Sequence, residues 1–422
     1  MTMGLLYDLI YVIVFIFYAP VLAARGKLHR GYRMRFGAID ADIERRLALK
    51  KNIWLHAVSV GEVLAIIDII RRLKKRFPAH GIVLSTVTKT GFDMARQRLD
   101  AEDIVLFAPM DLSWVVKRFI RAIQPKVYIA AETEIWPNLY RCLHEARVPI
   151  AQVNGRISDK SYAGYKRVNS IIKRSLSCVD LFCMQSELDR ARIIEIGADP
   201  ARVHVTGNIK FDNLPEGEKL ERRALGFGKD DIILIAGSTH ANEEEMILEM
   251  IGRLRAQCPN LKLILSPRHV ERTEDLESLA ATKKFIPVLL SGLKGRPIEN
   301  DEVVLVDRIG VLKDLYTIAD IVFIGKTLAV GGGQNMIEPA AFGKPTLVGP
   351  MTYNFKDVVR VFLAEEALVQ VADWQQLEEA LKSLLDDKEK RERIGAQARQ
   401  VVERYQGASS KTIGLIEGIV NQ

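Results

Sequence analysis

The sequence alternates short apolar runs with longer segments in which apolar residues recur at helical spacing. The apolar runs are rich in Val, Ile and Leu, and several are apolar throughout, which is typical of strands buried on both faces of a parallel sheet. The segments between them, such as 62–77 and 91–99, have the periodicity of amphipathic helices. The pattern predicts βαβ units that form a doubly wound sheet. In the first half of the chain the apolar runs lie at 53–59, 81–88, 104–110, 127–132, 149–155 and 181–185.

The same alternation begins again after residue 230, with apolar runs at 232–238, 261–267, 302–307, 321–325 and 345–349. A polar segment, 213–223, separates the two halves and is interrupted by Pro215 and Gly217, as interdomain linkers are. We therefore predict two Rossmann-like α/β domains that face a cleft, over 25–212 and 224–405. A C-terminal helix over 406–422 can pack back on the first domain.

The N-terminal 24 residues predict a membrane anchor. Residues 5–24 carry one charge, Asp8, and one proline, Pro20, and their number is close to that needed to span a bilayer. No basic residue precedes this run and many follow it, so the positive-inside rule places the rest of the chain in the cytoplasm. A helix that lies in the membrane interface, or that docks on the protein, is the alternative. Because the first predicted strand begins only near Ile53, we do not expect residues 1–24 to be needed for folding.

The formal net charge of +7 is concentrated just after this apolar run. Between residues 21 and 51 the chain has nine basic and three acidic residues, so nearly the whole excess lies there. That placement suits the headgroups of inner-membrane lipids or an anionic lipid substrate. Nucleic acid is the weaker interpretation, because the rest of the chain is nearly neutral and has no nucleic-acid-binding motif. The four cysteines form no CxxC pair and have no histidine at zinc-ligand spacing, so they predict a reducing compartment and no metal site.

Polar residues cluster where the predicted strands of the first domain end, and ligands of open α/β sheets bind at that edge. Glu62 follows the first strand in the first turn of a helix, where it either contacts a ligand or only complements the helix dipole. Glu132 and a second acid follow the fourth strand beside Trp136. This grouping favours a structured site over a solvated turn, because burying acids without partners is costly. Lys210 either faces the cleft and neutralises a phosphate, or is an exposed linker lysine.

In the second domain the strongest signal is the glycine run 331–333, which is followed by Glu338 and Pro339. The glycines permit close backbone approach, the helix N-terminus attracts phosphate, and a carboxylate one turn in can accept both hydroxyls of a ribose. A glycine run alone often marks only a flexible loop. Arg268, at the end of another strand, has the forked guanidinium that binds phosphate, while the turn 237–240 is either an anion site or a plain helix cap.

These features resemble the nucleotide-sugar site of GT-B glycosyltransferases. A more specific set of segments is similar to the 3-deoxy-D-manno-octulosonic acid (Kdo) transferases of lipopolysaccharide synthesis. The similarity runs in order from the N-terminal anchor to about residue 355. The segments are 56–62 (HAVSVGE), 132–138 (ETEIWPN), 207–212 (GNIKFD), 236–240 (AGSTH), 267–269 (PRH) and 334–345 (QNMIEPAAFGKP).

The resemblance implies an inverting, metal-independent transfer of Kdo from CMP-Kdo to a hydroxyl of a tetraacylated, bisphosphorylated lipid A precursor (lipid IVA). It implies no cofactor, because CMP-Kdo is a substrate, and catalytic domains on the cytoplasmic side of the inner membrane. By position Glu62 corresponds to the catalytic base, and Glu132 and Lys210 to groups that stabilise the transition state. The residues that correspond to CMP contacts are Pro267, Arg268, Ile309, Gly310, Val311, Asn335, Met336, Ile337 and Glu338.

Three residues depart from the common pattern of that family. Gln334 and Met336 stand where many members have His and Pro, and Lys326 stands where Gly is common. Two other functions share parts of the pattern: a nucleotide-sugar epimerase of the same architecture, and a membrane-anchored protein that binds CMP without catalysis. An epimerase would need neither the anchor nor the basic segment, and a non-catalytic protein would not depend on Glu62.

Overall fold

The computed structural model describes residues 3–24, 31–212, 214, 217–293, 295–329 and 331–421. The chain divides into two units, each built on one sheet. The first unit comprises Met1–Asn213 and Gln406–Gln422, and the second comprises Leu214–Tyr405. All the strand pairs described in both sheets are parallel, so the prediction of two doubly wound α/β units is confirmed.

The first unit has a seven-stranded sheet in the order β3-β2-β1-β4-β5-β6-β7. β1 and β5 are buried at every position, as their apolar composition predicts for strands covered on both faces. Side chains alternate between the faces, so that Trp54 and Tyr128 enter one apolar cluster while Ile53 and Ile129 enter the other. The strands are β1 (Asn52–His56), β2 (Gly81–Thr86), β3 (Ile104–Phe107), β4 (Pro125–Ala131), β5 (Ile150–Gly155), β6 (Leu181–Met184) and β7 (Val203–Val205).

Helices precede the sheet of the first unit and cross over between its strands. They are α1 (Met3–Ala24), α2 (Gly31–Arg35), α3 (Ala41–Leu47), α4 (Val60–Arg76), α5 (Lys89–Arg98), α6 (Ser113–Ile123), α7 (Pro137–Glu145), α8 (Asp159–Arg167), α9 (Asn169–Leu176) and α10 (Glu187–Glu195).

The strand order determines where this unit can bind a ligand. The chain adds β2 and β3 on one side of β1 and then returns to place β4 on the other side. The loops that follow β1 and β4 therefore diverge and leave a crevice at the carboxyl edge of the sheet, which is where doubly wound folds bind ligands. Both predicted glutamates of the first unit lie after these two strands.

The second unit repeats this plan with the order β10-β11-β9-β8-β12-β13-β14, so that its crevice lies between β8 and β12. Its strands are β8 (Ile232–Thr239), β9 (Leu261–Pro267), β10 (Ile286–Leu289), β11 (Glu302–Leu305), β12 (Ile321–Ile324), β13 (Thr346–Val348) and β14 (Val369–Gln370). Its helices are α11 (Glu243–Arg255), α12 (Thr273–Thr282), α13 (Leu312–Leu315), α14 (Ile337–Ala341), α15 (Lys356–Ala364), α16 (Trp374–Asp386) and α17 (Lys388–Tyr405).

The sequence pattern did not predict β7, β10 or β14. These strands are two to four residues long, and each lies at an edge of its sheet. An edge strand is covered less completely than a central one, and β10 and β14 contain exposed or half-buried positions. Such short, partly exposed segments lack the apolar run by which the other strands were recognised.

The last helix, α18 (Ala408–Val420), belongs to the first unit although it follows the second in sequence. Its Ile413 and Ile416 pack in one of the apolar clusters of the first unit. The carboxylate of Asp212 accepts hydrogen bonds from the backbone N–H groups of Gly407 (2.6 Å) and Ser409 (2.5 Å) at the start of this helix. Asp212 thus ties α18 to the segment that carries Lys210.

The segment predicted as a linker, 213–223, is associated with the second unit where it is described. The backbone N–H of Glu218 donates to Asp314 at 2.9 Å, and that of Leu220 donates to Thr317 at 3.2 Å. Residues 213, 215 and 216 of this segment lie outside the described residues.

The N-terminal helix α1 docks on the first unit. The carboxylate of Asp8 accepts hydrogen bonds from the backbone N–H of Ser113 (2.9 Å) and from Nδ2 of Asn138 (2.7 Å), while Tyr11 and Phe15 pack against an apolar cluster. Among the described residues no helix is long and apolar enough to cross a membrane. Apolar side chains of α1 that do not face the unit are exposed, namely Leu9, Ile10, Val12, Ile13, Val14, Ile16 and Phe17.

The basic segment after α1 is only partly described. Arg25, Lys27 and Arg30 lie outside the described residues. Arg35 is only 6% exposed and donates from Nε to the carbonyl oxygen of Ala108 at 3.2 Å, so it is a structural residue and cannot contact lipid as the charge pattern predicted. The exposed basic residues that remain in this segment are Arg33, Arg45, Arg46, Lys50 and Lys51.

Candidate active site

Glu62 lies in the first turn of α4, directly after β1. Its Oε2 accepts a hydrogen bond from the backbone N–H of Val58 (2.7 Å), and its Oε1 accepts one from the hydroxyl of Ser59 (2.8 Å). These two donors fix the carboxylate over the start of the helix. Glu62 is therefore a helix-start carboxylate, as one of the two interpretations of the sequence holds. Its position also places the carboxylate at the crevice between β1 and β4.

Glu132 begins the loop after β4 and reaches the same crevice. Its φ is +56°, in the left-handed region that non-glycine residues rarely adopt, and its N–H donates to the carbonyl oxygen of Val153 at 2.8 Å. Its Oε1 lies 3.9 Å from Nζ of Lys210. Strained backbone at a polar strand end is typical of functional sites, where side-chain direction is maintained at a cost in stability.

Lys210 lies in a single 3₁₀ turn, Ile209–Phe211, that side chains of the first unit hold in place. Asn154 Oδ1 accepts a hydrogen bond from the N–H of Ile209 (3.1 Å), and Asn208 Oδ1 accepts one from the N–H of Lys210 (3.0 Å). The structure therefore brings Glu62, Glu132 and Lys210 together within one unit, although 148 residues separate the first from the last.

A third carboxylate, Glu134, accompanies this group. Its Oε2 accepts a hydrogen bond from the indole N–H of Trp136 (3.1 Å), and its carbonyl oxygen accepts one from the hydroxyl of Tyr140. Sequence reasoning noted a second acid after β4 but assigned it no role. The signal that could have identified it is Trp136 two residues later, since a buried indole N–H requires an acceptor nearby.

Two carboxyl groups of this cluster, Glu62 and Glu134, have raised pKa values. Burial and the charge of Glu132 raise the pKa of Glu62, while the Val58 N–H, Ser59 and the Lys210 ammonium oppose the rise. Burial, followed by the charge of Glu62, raises the pKa of Glu134 to about 7. Glu134 therefore holds its proton over much of the neutral range, which relieves repulsion in the group.

His56, which begins the first motif, serves packing. It is buried, its Nδ1 lies 3.0 Å from the hydroxyl of Ser85, and its ring meets that of Trp136 edge to face. Burial and the charge of Arg35 lower the pKa of His56 to about 4, so the ring is neutral at physiological pH.

In the second unit, Glu243 organises the crevice between β8 and β12. This fully buried carboxylate accepts hydrogen bonds from four backbone N–H groups. One donor, His240, follows β8, and the other three belong to residues 326–328, which follow β12. The sequence pattern gives no sign of this role, because the residues near Glu243 in the chain do not reveal partners that lie more than 80 residues away.

The predicted nucleotide contacts of the second unit follow β9 and surround α14. Pro267 ends β9, and Arg268 follows it with an exposed side chain. Glu338 lies in α14 and its Oε1 accepts a hydrogen bond from Nδ2 of Asn335 (3.0 Å). Burial raises the pKa of Glu338, and the Asn335 hydrogen bond and the charges of Arg268 and Lys313 partly offset the rise. Arg268, Asn335 and Glu338 are therefore neighbours, as the prediction requires.

The remaining predicted contacts differ in what they can present to a ligand. Ile309 is 82% exposed, Gly310 has a φ of +89° with open space around it, and Val311 immediately precedes α13. The side chains of Met336 and Ile337 are buried, so these two residues can contact a ligand only through their backbone.

Two glycines of the run 331–333 use their backbone donors within the protein. The N–H of Gly332 donates to the carbonyl oxygen of Met351 (2.9 Å), and that of Gly333 donates to the carbonyl oxygen of Lys326 (2.8 Å). A Cβ on Gly332 would lie 2.7 Å from Nδ2 of Asn354. Gly332 and Gly333 allow the chain to pack closely against itself, so their N–H groups are not available to a phosphate. Among the described residues no group of three or more His, Cys, Asp or Glu side chains could hold a metal ion.

Two family models match the chain. The model described as 3-deoxy-D-manno-octulosonic-acid transferase (kdotransferase) matches residues 30–213, and that of glycosyl transferases group 1 matches residues 299–401. A 3-deoxy-D-manno-octulosonic acid transferase of Haemophilus influenzae is 34% identical over 87% of this chain and 87% of its own length. One from Bordetella pertussis is 30% identical over 91% of this chain and 90% of its own. The chain belongs to the 3-deoxy-D-manno-octulosonic acid transferase family. It is thus a glycosyltransferase of the Kdo transferase type.

A solved structure of lower sequence identity supports the architecture. The UDP-GlcNAc 2-epimerase of Neisseria meningitidis bound to UDP-GlcNAc is 12% identical, has a TM-score of 0.58, and covers 87% of this chain and 100% of its own. At that identity the likeness shows the fold alone. An epimerase and a Kdo transferase can share this fold because function depends on the side chains at the crevices.

The raised pKa of Glu134 predicts how this Kdo transferase responds to pH. The pKa of this carboxyl is higher in the folded protein (about 7) than in the unfolded chain (4.5). Its contribution to stability is therefore fully present below pH 4.5 and is lost as the pH rises through about 7. We expect Glu134→Gln to be more stable than the unaltered protein by about 1–3 kcal/mol at about pH 8, and nearly equal in stability at about pH 4.5. Urea unfolding at both pH values measures this. Glu187→Gln, at an exposed position, is the control, and an equal difference at both pH values would contradict the prediction.

Proposed function

We propose that this protein transfers Kdo from CMP-Kdo to a hydroxyl of a tetraacylated, bisphosphorylated lipid A precursor (lipid IVA) in lipopolysaccharide synthesis, with inversion at the anomeric carbon. The observation that carries the proposal is the position of Glu62 beside Glu132 and Lys210 in a member of the Kdo transferase family. The proposal requires neither a metal ion nor a cofactor, since CMP-Kdo is itself a substrate.

In the proposed reaction Glu62 is the general base. It takes the proton of the acceptor hydroxyl while the hydroxyl oxygen forms a bond to the anomeric carbon of Kdo. The bond between that carbon and the phosphate oxygen breaks, and CMP leaves with the electron pair. A pKa raised by burial makes Glu62 a stronger base than an exposed glutamate, while the hydrogen bonds from Val58 and Ser59 and the charge of Lys210 favour its ionised form. Displacement on the opposite face from the leaving group accounts for inversion.

Glu132 and Lys210 are proposed to stabilise the transition state. Their side chains form an ion pair at 3.9 Å, a distance that leaves room for Lys210 to turn toward negative charge that develops during transfer. The loop geometry supports this role, because side chains that hold the backbone on both sides of Lys210 fix its position before substrate binds.

The second unit is proposed to bind the CMP part of the donor. Arg268 offers a guanidinium to the phosphate, and Glu338 offers a carboxylate to the ribose hydroxyls. Asn335 orients Glu338 through their 3.0 Å hydrogen bond. CMP is a good leaving group, so cations beside the phosphate suffice and no strong general acid is required.

We further propose that the protein works at the cytoplasmic side of the inner membrane, with α1 in contact with its lipid. The support is the exposed apolar face of α1, which includes Ile13 (45% exposed) and Phe17 (79% exposed). A large exposed apolar face on a docked helix is typical of membrane-interface segments, and the exposed basic residues that follow suit anionic headgroups. Placement at the bilayer would allow the acyl chains of the acceptor to remain in lipid during transfer.

Replacing the base tests the reaction. Glu62→Gln keeps the size of the side chain and can still accept the Val58 N–H, but it removes the basic oxygen. We expect normal folding, normal CMP affinity, and a turnover number lowered by about 10²–10⁴-fold. The measurement is mass-spectrometric detection of the glycosylated lipid from CMP-Kdo and lipid IVA, with CMP affinity from calorimetry.

Glu132→Gln is the comparison for Glu62→Gln, since it removes the other carboxylate of the same crevice. If Glu62→Gln retained near-normal turnover while Glu132→Gln were inactive, the two roles would be reversed. If the unaltered protein formed no glycosylated lipid but converted a nucleotide sugar to its epimer, the transferase proposal would be wrong.

Two substitutions test the donor site. Arg268→Ala and Glu338→Ala each remove a charged partner of CMP, so each should weaken CMP binding by about 1–3 kcal/mol. Calorimetry with CMP measures the change, and Arg253→Ala, which breaks an exposed ion pair with Glu378 elsewhere in the second unit, is the control. CMP affinity that is unchanged in both variants would remove Arg268 and Glu338 from the site.

Charges placed on the exposed face of α1 test membrane contact. Ile13→Glu with Phe17→Glu should lower binding to vesicles of anionic phospholipid by at least about tenfold, because each apolar side chain contributes well over 1 kcal/mol on burial. Sedimentation with the vesicles measures binding. Leu188→Glu with Ile286→Glu is the matched control, since both side chains are exposed (44% and 52%) and lie outside α1 and outside the basic segment. Equal losses in both double variants would indicate charge repulsion alone.

A further inference from the structure

Lys326, the second residue after β12, has a backbone conformation that is costly for a lysine. Its φ is +62°, in the left-handed region that glycine adopts without a steric penalty. Hydrogen bonds on both sides hold it there: its N–H donates to Glu243 Oε2 (2.7 Å), and its carbonyl oxygen accepts from the N–H of Gly333 (2.8 Å). Strained non-glycine residues concentrate at functional sites, where the side chain has a use that outweighs the strain.

The position of Lys326 gives that side chain a candidate use. Lys326, His240 and Arg268 follow the three neighbouring strands β12, β8 and β9 at the carboxyl edge of the second sheet. One oxygen of Glu243 accepts hydrogen bonds from the N–H groups of both His240 (3.1 Å) and Lys326 (2.7 Å). The N–H of Arg268 donates to the carbonyl oxygen of Thr239, the residue before His240 (2.9 Å). The three basic residues therefore lie in a row across the crevice.

Two of these residues, Lys326 and Arg268, have no ion-pair partner among the described acids, although the charge of Arg268 acts on the nearby Glu338. The buried Glu243 is occupied by four backbone donors, and Glu244 is paired with Arg272 at 3.0 Å. In the part of the chain that the structure describes, neither Lys326 nor Arg268 forms an ion pair. Burial and the charge of Lys326 lower the pKa of His240, so this ring is neutral at physiological pH and can donate or accept a hydrogen bond.

We propose that Lys326 binds the anionic end of the donor and so adds affinity for a nucleotide sugar that carries its own acid group, which the glycine common at this position in the family does not provide. This inference rests on the proposed function. In CMP-Kdo the phosphate and the sugar carboxylate are attached to the same carbon, so two negative groups lie side by side. Arg268 and Lys326 provide two cations at the crevice for these two groups, which one arginine alone would leave partly unneutralised.

Removing the charge while keeping the backbone tests the inference. Lys326→Gln should raise the KM for CMP-Kdo about 10- to 100-fold with little change in kcat, because a charged hydrogen bond in the donor complex is lost. Lys326→Arg should restore the KM to within about threefold, which a purely structural role would not produce. Lys326→Gly, which relieves the left-handed strain, should unfold at a urea concentration no lower than the unaltered protein and still bind the donor weakly.

Lys284→Gln is the matched control. Lys284 has almost the same backbone conformation, with a φ of +63°, but it is exposed and precedes β10 at the opposite edge of the sheet. Its substitution should leave the KM unchanged.

Inhibition by CMP distinguishes the two anionic groups. If Lys326→Gln raises the KM for CMP-Kdo while the inhibition constant of CMP is unchanged, Lys326 binds the carboxylate. If both rise equally, Lys326 binds the phosphate. A KM and an inhibition constant that both remain unaltered in Lys326→Gln would overturn the inference. Failure of the unaltered protein to bind CMP or to use CMP-Kdo would instead overturn the proposed function.

Discussion

A doubly wound sheet must reverse the direction of its strand connections between two central neighbours, and the loops that follow those two strands then diverge. The positions of both candidate sites in this protein depend on that constraint. In the first unit the reversal lies between β1 and β4, so the loops bearing Glu62 and Glu132 bound one crevice. In the second unit it lies between β8 and β12, and the loops bearing His240 and Lys326 bound another. Both crevices thus arise from the order of the strands, and the side chains at the strand ends make them different.

The two crevices differ in the charged groups that line them. The first holds three carboxylates, and their mutual repulsion is limited because Glu134 retains a proton up to about pH 7 and Lys210 lies beside Glu132. This arrangement costs stability and leaves Glu62 more basic than an exposed glutamate. The second crevice carries two cations, Arg268 and Lys326, that form no ion pair among the described residues, and Arg268 lies near the carboxylate of Glu338. The proposed transfer would use a carboxylate of the first crevice as the base and the cations of the second to hold an anionic donor.

Several residues that the sequence suggested as ligand contacts have structural roles instead. Gly332 and Gly333 let the backbone pack against Asn354 and Met351, and the N–H groups of these two glycines are occupied. His56 is a neutral ring within the core, and Arg35 is buried against a carbonyl group. In each case the residue type permits either use, and the choice depends on what the folded chain places next to it. Functional residues therefore cannot be assigned by residue type alone.

The sequence by itself determined the two α/β units, nearly all of their longer strands, and the strand ends that Glu62, Glu132 and Arg268 follow. It could do so because the pattern is local: a strand that is buried on both faces consists of consecutive apolar residues. The tertiary structure alone decided that Glu134 joins Glu62, that Glu243 joins β8 to β12, and that α1 docks on the first unit through Asp8. These features depend on contacts between residues distant in the chain, and on the electrostatics of burial, which no short stretch of sequence records.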